Sequence, residues 1–273
     1  MQSETAIGAV PGAADTWTDV NTFTVPAGVQ RLMKVKGNIA PDPGALAQIH
    51  GAPVIRLQGS GLLEQSPHEY VLQGFTESIT AANSGSGPVE PEMFEYDVDI
   101  PVQTGGQITV QINMLDEVPA AMTSRVELDY DGIAPSGKNQ MAQYVDAAAP
   151  GAAGAWTAVG TITIPQLKEG KSPVKITEVI CGLVSDVAGN VLIRQSSRFR
   201  LTGSGLVEGG SHQLLGTAAG VMWTTPGAQA YDRPIVRHKV DIPVNAGGQI
   251  NVEVIHDVEI SEGGTVVLGV RYE

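Results

Sequence analysis

Apolar and polar residues alternate along 107–114: Ile108, Val110, Ile112 and Met114 fall on one side, and Gln107, Thr109, Gln111 and Asn113 on the other. A period of two marks a β-strand with one face in a core and the other in water. The alternation returns at Ile250, Val252 and Val254, spaced by Asn251 and Glu253. Shorter runs rich in Val, Ile and Thr, each bounded by Gly, Pro or Asn, predict strands over 22–25, 32–37, 54–57, 94–102 and 125–130. A second set follows over 161–164, 174–184, 199–201, 235–244 and 265–272. Pro26 and Pro165 lack the amide donor that a ladder needs and end the strands before them, and Ala27-Gly28 forms the turn that follows. No sustained helical period occurs, and 44–50 and 139–147 are the only helix candidates. Roughly seven or eight short strands in about 130 residues, twice over, predict an all-β chain of two tandem antiparallel β-sandwich domains of jelly-roll-like form.

The chain repeats itself. Pro11-Gly12-Ala13-Ala14-Asp15-Thr16-Trp17-Thr18 returns 139 residues later as Pro150-Gly151-Ala152-Ala153-Gly154-Ala155-Trp156-Thr157. Arg56-Leu57-Gln58-Gly59-Ser60-Gly61-Leu62-Leu63-Glu64 returns 144 residues later as Arg200-Leu201-Thr202-Gly203-Ser204-Gly205-Leu206-Val207-Glu208, and His68 is matched by His212 at the same offset. Val98-Asp99-Ile100-Pro101-Val102 and Gly105-Gly106-Gln107-Ile108 recur 142 residues on, and each copy closes on an aromatic, Tyr130 and Tyr272. Matched blocks in one order, with so little drift in offset, predict two homologous domains. The first covers 1–132 and the second 143–273, joined over 133–142 by a short linker rich in Pro, Gly and Ser. The copies match least at 76–92 and 216–234, the expected long surface loops.

Composition narrows the classes of function. Lys and Arg number 16 against 29 Asp and Glu among 273 residues, a formal net charge of −13 that repels phosphate backbones, so no direct nucleic-acid partner is expected. Charged residues at 16% against 42% hydrophobic ones describe a folding chain. The one cysteine, Cys181, lies in an apolar run and reads as a buried thiol outside any disulfide. Residues 1–5 lack the basic and apolar regions of a secretory leader, and no run is long enough for a membrane-spanning helix.

Candidate chemistry is sparse. Ser60 and Ser204 sit in Gly-Ser-Gly, not in the wider spacing of a nucleophile elbow. His50, His68, His212, His238 and His256 lack zinc-site pairings, and His256 falls at the core position of Met114. Asp129-Tyr130-Asp131-Gly132 is only a fragment of a calcium loop, and of the pair Asp97 and Asp99 only Asp99 recurs in the second copy, as Asp241. No catalytic residue and no metal or cofactor site is therefore assigned. The repeated Arg-Leu-x-Gly-Ser-Gly motif is the sharpest signal. It makes Arg56, His68, Arg200 and His212 candidate ligand contacts for an anion or a sugar, while its structural reading gives the glycines to a strand corner and the arginines to local pairing. Trp223 and Tyr231, in the second long loop, are the candidate sugar-stacking aromatics, whereas Trp17 and Trp156 recur beside strand starts and read as core or edge residues.

Two tandem sandwiches of this size, acidic and without disulfides, glycosylation sequons or leader, resemble the double jelly-roll coat proteins of tailless icosahedral viruses. The resemblance covers essentially the whole chain and lies in architecture, length and duplication. It implies a non-enzymatic major capsid subunit made in the host cytoplasm and located in the virion. Such subunits form homotrimers whose barrels make a pseudo-hexagonal tile and a larger lattice, with other virion proteins as partners and no cofactor. A phage head decoration or cement protein and a carbohydrate-binding tandem sandwich are the alternatives.

Overall fold

The computed structural model describes residues 2–9, 15–41, 48–51, 53–64, 67–72, 75–78, 94–115, 122–135, 140–148, 153–167, 172–185, 193–209, 211–221, 235–256 and 264–273, and among these every regular element is a strand. The first half contributes β1 (Gln2–Ala9), β2 (Thr18–Thr24), β3 (Arg31–Pro41), β4 (Gln48–Gly51), β5 (Pro53–Gln58), β6 (Glu69–Val71), β7 (Phe75–Ser78), β8 (Phe94–Pro101), β9 (Gln107–Met114) and β10 (Met122–Asp131). The second contributes β11 (Met141–Ala148), β12 (Thr157–Thr163), β13 (Lys175–Ser185), β14 (Ile193–Thr202), β15 (His212–Val221), β16 (Ile235–Pro243), β17 (Gln249–His256) and β18 (Gly264–Tyr272).

Pairing follows one plan in both halves. The first forms sheets β1-β10-β3-β8 and β2-β9-β5-β6, with β4 and β7 as a separate ribbon; the second forms β11-β18-β13-β16 and β12-β17-β14-β15. With the ribbon set aside, each half joins its first, eighth, third and sixth strands in one sheet and its second, seventh, fourth and fifth in the other. That is the double Greek key of a jelly roll. The chain is thus two tandem antiparallel β-sandwiches. Alternation packs Ile108, Val110 and Ile112 into the first core and Ile250, Val252 and Val254 into the second.

The expected helix candidates are corrected. Residues 141–148 form β11, because Met141, Val145 and Ala147 turn inward while Ala142 and Tyr144 turn outward, a strand's period. Of residues 44–50, the described part lies in β4 and the rest lies outside the described residues. Strands β1, β6, β7 and β15 were not expected, and β7 and β15 take up residues 76–78 and 216–221 of the expected surface loops. β1 is short of large apolar residues and takes its place through its register with β10, from Gln2 opposite Tyr130 to Ala9 opposite Thr123.

The two sandwiches point the same way. Turns β2–β3, β5–β6 and β8–β9 lie at the pole where β10 ends and β11 begins, and the parallel bridge from His68 to Ala142 aligns β6 with β11. Arg237 of β16 reaches Glu95, and Arg271, level with Lys239 of β16, reaches Asp97, so β16 and β8 run in the same sense. The connections β1–β2, β3–β5, β6–β8 and β9–β10 leave from the opposite pole.

Candidate assembly interface

The repeated Gly-Ser-Gly builds a corner in each sandwich. Gly59 and Gly203 adopt φ of 123° and 118°, and a Cβ on either would collide with the carbonyl of Gln107 or Gln249. Ser60 Oγ accepts from Gln107 N at 3.1 Å, and Ser204 Oγ accepts from Gln249 N at 3.2 Å. Leu62 then bridges Val102 as Leu206 bridges Val244. The serines of this motif hold turns.

Its arginines stack. Arg56 lies 4.0 Å above the ring centroid of Trp17 and donates from Nε to Gln111 Oε1 at 2.9 Å, with Glu69 at 3.9 Å. Arg200 lies 4.3 Å above Trp156 and donates to Glu253 Oε2 at 2.8 Å. An arginine stacked in this way covers one face of the indole. His68 is buried, and burial pulls its pKa down to about 4, whereas the matching His212 is half-buried. The structure therefore brings Arg56 to Trp17 and Arg200 to Trp156, while His68 lies elsewhere, on the side facing the second sandwich. Trp223 and Tyr231 lie outside the described residues.

His68 opens onto the feature that sequence reasoning missed. In the first sandwich β6 and β8 are the outer strands of their sheets, and the gap between them leads into the core. The outer face of β11-β18-β13-β16 closes that gap. Val179, Cys181, Leu268 and Val270 turn into the second core, while Ala142, Ile180 and Val267 on the reverse face are buried with the first, as is Ile235. At Gly269 a Cβ would come within 3.0 Å of Val71 Cγ2, so the absence of a side chain lets β18 approach β6. Ala142 N donates to Pro67 O at 3.1 Å, and Asn113 Nδ2 donates to Tyr144 OH at 3.1 Å.

Cations and rings complete this seam. Arg237 sits 3.7 Å above Phe94 and 4.3 Å above Tyr96, and its guanidinium donates to Glu95 O at 3.2 and 3.3 Å. Arg271 lies 5.4 Å above Tyr96, donates to Asp97 O, and donates from Nη1 to Glu178 Oε2 at 3.1 Å. Open carbonyls along an edge strand invite pairing with foreign strands. Here guanidiniums take two of them. The Tyr96 hydroxyl donates to Val71 O, tying β8 to β6, and Tyr70 packs 5.0 Å from Tyr96. Burial pushes both phenols upward in pKa against the opposing pull of the arginines, so they stay neutral donors.

Register allows the two comparable outer faces to be read position by position. Lys34 stands opposite Asp97 and Asp129, as Glu178 stands opposite Lys239 and Arg271. Lys36 stands opposite Glu95, as Ile180 stands opposite Arg237. The signs are exchanged: the first face has lysines flanked by acids, and the second has an acid flanked by cations. On the first face Lys36 bridges Glu127 at 2.7 Å and Asp129 at 2.8 Å, Lys34 pairs with Glu95 and Asp97, and Arg31 with Asp99 and Asp131. At Asp129 burial opposes ionisation, but hydrogen bonds from Lys36 and Ser3 outweigh it and hold the carboxyl below its ordinary range. The calcium-loop fragment and the carboxylate pair are thus occupied by cationic side chains.

No protein-family model matches the sequence, and no curated protein does. Among solved structures the chain is similar to the STIV major capsid protein, at 12% identity and a TM-score of 0.43 over 98% of this chain and 96% of that one. It is also similar to PNGase F, a glycosylasparaginase from Flavobacterium meningosepticum, at 14% identity and 0.38 over 100% and 96%. A third likeness is to the PBSX exported protein XepA, at 10% and 0.22 over 100% and 86%. These likenesses are remote, and the jelly-roll plan stands on the strand order of the chain itself.

Proposed function

We propose that this chain is a non-enzymatic shell subunit of a virus particle, a major capsid protein that assembles as a homotrimer and then as a lattice. The observation that carries the proposal is the asymmetry of the seam. An edge of one sandwich meets a face of the next, so the contact is heterologous and, among the described residues, leaves one edge, β15–β16, and one face, β1-β10-β3-β8, without a counterpart. Such a contact propagates, and it closes a ring when the rotation allows. Along the unused edge His212, Leu214, Val236 and His238 are half-buried where their counterparts His68, Tyr70, Phe94 and Tyr96 are buried. We place the division between the domains between the end of β10 and the start of β11, so that residues 141–142 of the expected 133–142 linker belong to β11, and attribute the two halves to a duplication.

The repeated motif supports the non-catalytic reading, since its serines hold turns and its arginines cover tryptophans. The decoration protein remains the second structural role, with adhesion to a preformed head in place of shell building. Light scattering after size exclusion should show a mass three times that of the 28.5 kDa chain at micromolar concentration. A monodisperse monomer there overturns the proposal.

A further inference from the structure

Four oxygen-bearing side chains gather where β11 borders the first sandwich. Asn113 points outward from β9, is 3% exposed, and donates from Nδ2 to Tyr144 OH, while its Oδ1 is buried without a hydrogen-bond partner. Next to it on β9, Met114 O accepts from Asp15 N at 2.9 Å, which anchors Asp15 beside the seam. Asp146 follows Tyr144 on the outer face of β11 and is half-buried; burial raises its pKa, and the charge of Asp15 raises it further. Tyr144 feels both carboxylates and also Glu69, which answers to Arg56 at 3.9 Å. Asp15 and Asp146 have no cationic partner among the described residues, so two like charges stand together beside an orphaned amide oxygen. Carboxylates withdrawn from water call for a counter-charge. The repeat shows that these groups are peculiar to the seam. At the equivalent positions stand Ile255 for Asn113, Gly154 for Asp15, Thr5 for Tyr144 and Ile7 for Asp146, none of them a carboxylate or an amide. Gly154 takes a φ of 77° freely, whereas Asp15 holds 52°, in the region that favours glycine, so a carboxylate is kept there against the preference of the backbone.

We propose that Asp15, Asp146 and Asn113 Oδ1 bind one calcium ion that ties the two sandwiches of the chain together. The donors are all oxygens, the set that a hard divalent cation takes, and calcium tolerates an irregular shell completed by water where magnesium demands a near-octahedral one. No three His, Cys, Asp or Glu side chains converge among the described residues, so the ion rests on two carboxylates and binds weakly, with a Kd of about 0.1–1 mM. It cancels the repulsion between Asp15 and Asp146 and gives the buried amide oxygen a partner. The site lies within one chain and serves a single copy as well as an assembly.

The test is Tb3+ luminescence on the full chain in about 0.15 M KCl, with Ca2+ as competitor. Trp17 and Tyr144, whose ring centroids lie 6.2 Å apart beside the site, serve as the antenna. The wild-type chain should show sensitised emission that Ca2+ displaces, and that Mg2+ displaces about tenfold less well. Asp146→Asn and Asp15→Gly should each weaken Ca2+ binding about tenfold or more. Ca2+ should also raise the melting temperature of wild type and leave that of either variant where it stands in EDTA. Asp15→Gly installs the residue that the second copy uses at the same corner, so it should fold and melt in EDTA no lower than wild type, and it suffices alone if Asp146→Asn fails to fold. Emission that survives in the folded variants, or that Ca2+ fails to displace by about 10 mM, overturns the inference. Equal displacement by Ca2+ and Mg2+, the mark of diffuse screening around a chain of net charge −13, overturns it too. None of these outcomes bears on the homotrimer.

Discussion

Tyr96 and Tyr272 are both fully buried phenols with different surroundings. Tyr96 donates to Val71 O, whereas the Tyr272 hydroxyl meets no hydrogen-bond partner within the described residues. Removing a satisfied buried donor exposes its acceptor to an apolar site, while removing an unsatisfied one sheds a desolvation cost. Tyr96→Phe should therefore cost about 1–2 kcal/mol in urea denaturation, and Tyr272→Phe should be neutral or stabilising. His68 supplies a pH dependence with a definite sign. Burial lowers its folded pKa to about 4 from 6.5, so the unfolded chain binds the proton first. Its stabilising contribution is whole above about pH 6.5 and falls by up to about 1.4 kcal/mol per unit as pH drops toward 4. His68→Gln should flatten that part of the stability profile, and an unchanged slope would show that another group sets it. Neither environment was legible in the sequence, where His68 and His212 are the same letter at the same offset. What separates them is the second sandwich, which covers only one.

At the level of elements, alternation and turn chemistry revealed the most. The runs at 107–114 and 249–256 are strands in the expected phase, and the repeated Gly-Ser-Gly is the corner that its structural reading assigned to it. Gly59 and Gly203 need a left-handed φ and open space, so Gly203→Ala should lower stability by about 1–3 kcal/mol, seen as a fall in melting temperature. Strands whose partners lie far away were harder to see. β11 carries Ala142, Ala147 and Ala148, which fit a helix as well as a strand when the neighbours are unknown. β6 spans only Glu69–Val71 and shows no period at all. The stacks of Arg56 on Trp17 and Arg200 on Trp156 were hidden for the same reason, since each joins a strand residue to a tryptophan just ahead of another strand. Their paired recurrence in the two copies was the one signal that could have exposed them.

In the whole molecule, the differences between the two repeated halves account for more than the folding of either. At equivalent register positions Glu178 replaces Lys34 and Arg237 replaces Glu95, and Arg237 reaches the carbonyl of Glu95 across the seam. The sequence showed the repeat plainly, yet the exchange emerges only when register sets the positions side by side. Ile180 and Val267 likewise read as one more apolar pair until the structure gives them a neighbouring core to enter. The two sandwiches share one direction, so the molecule has two unlike poles. Connections β2–β3, β5–β6 and β8–β9, with their counterparts β12–β13, β14–β15 and β16–β17, gather at one pole, where Leu63, Val207, Ile133 and Val174 stand exposed. Peptides inserted beside Leu63 and Val207 should therefore emerge together from one end of the molecule.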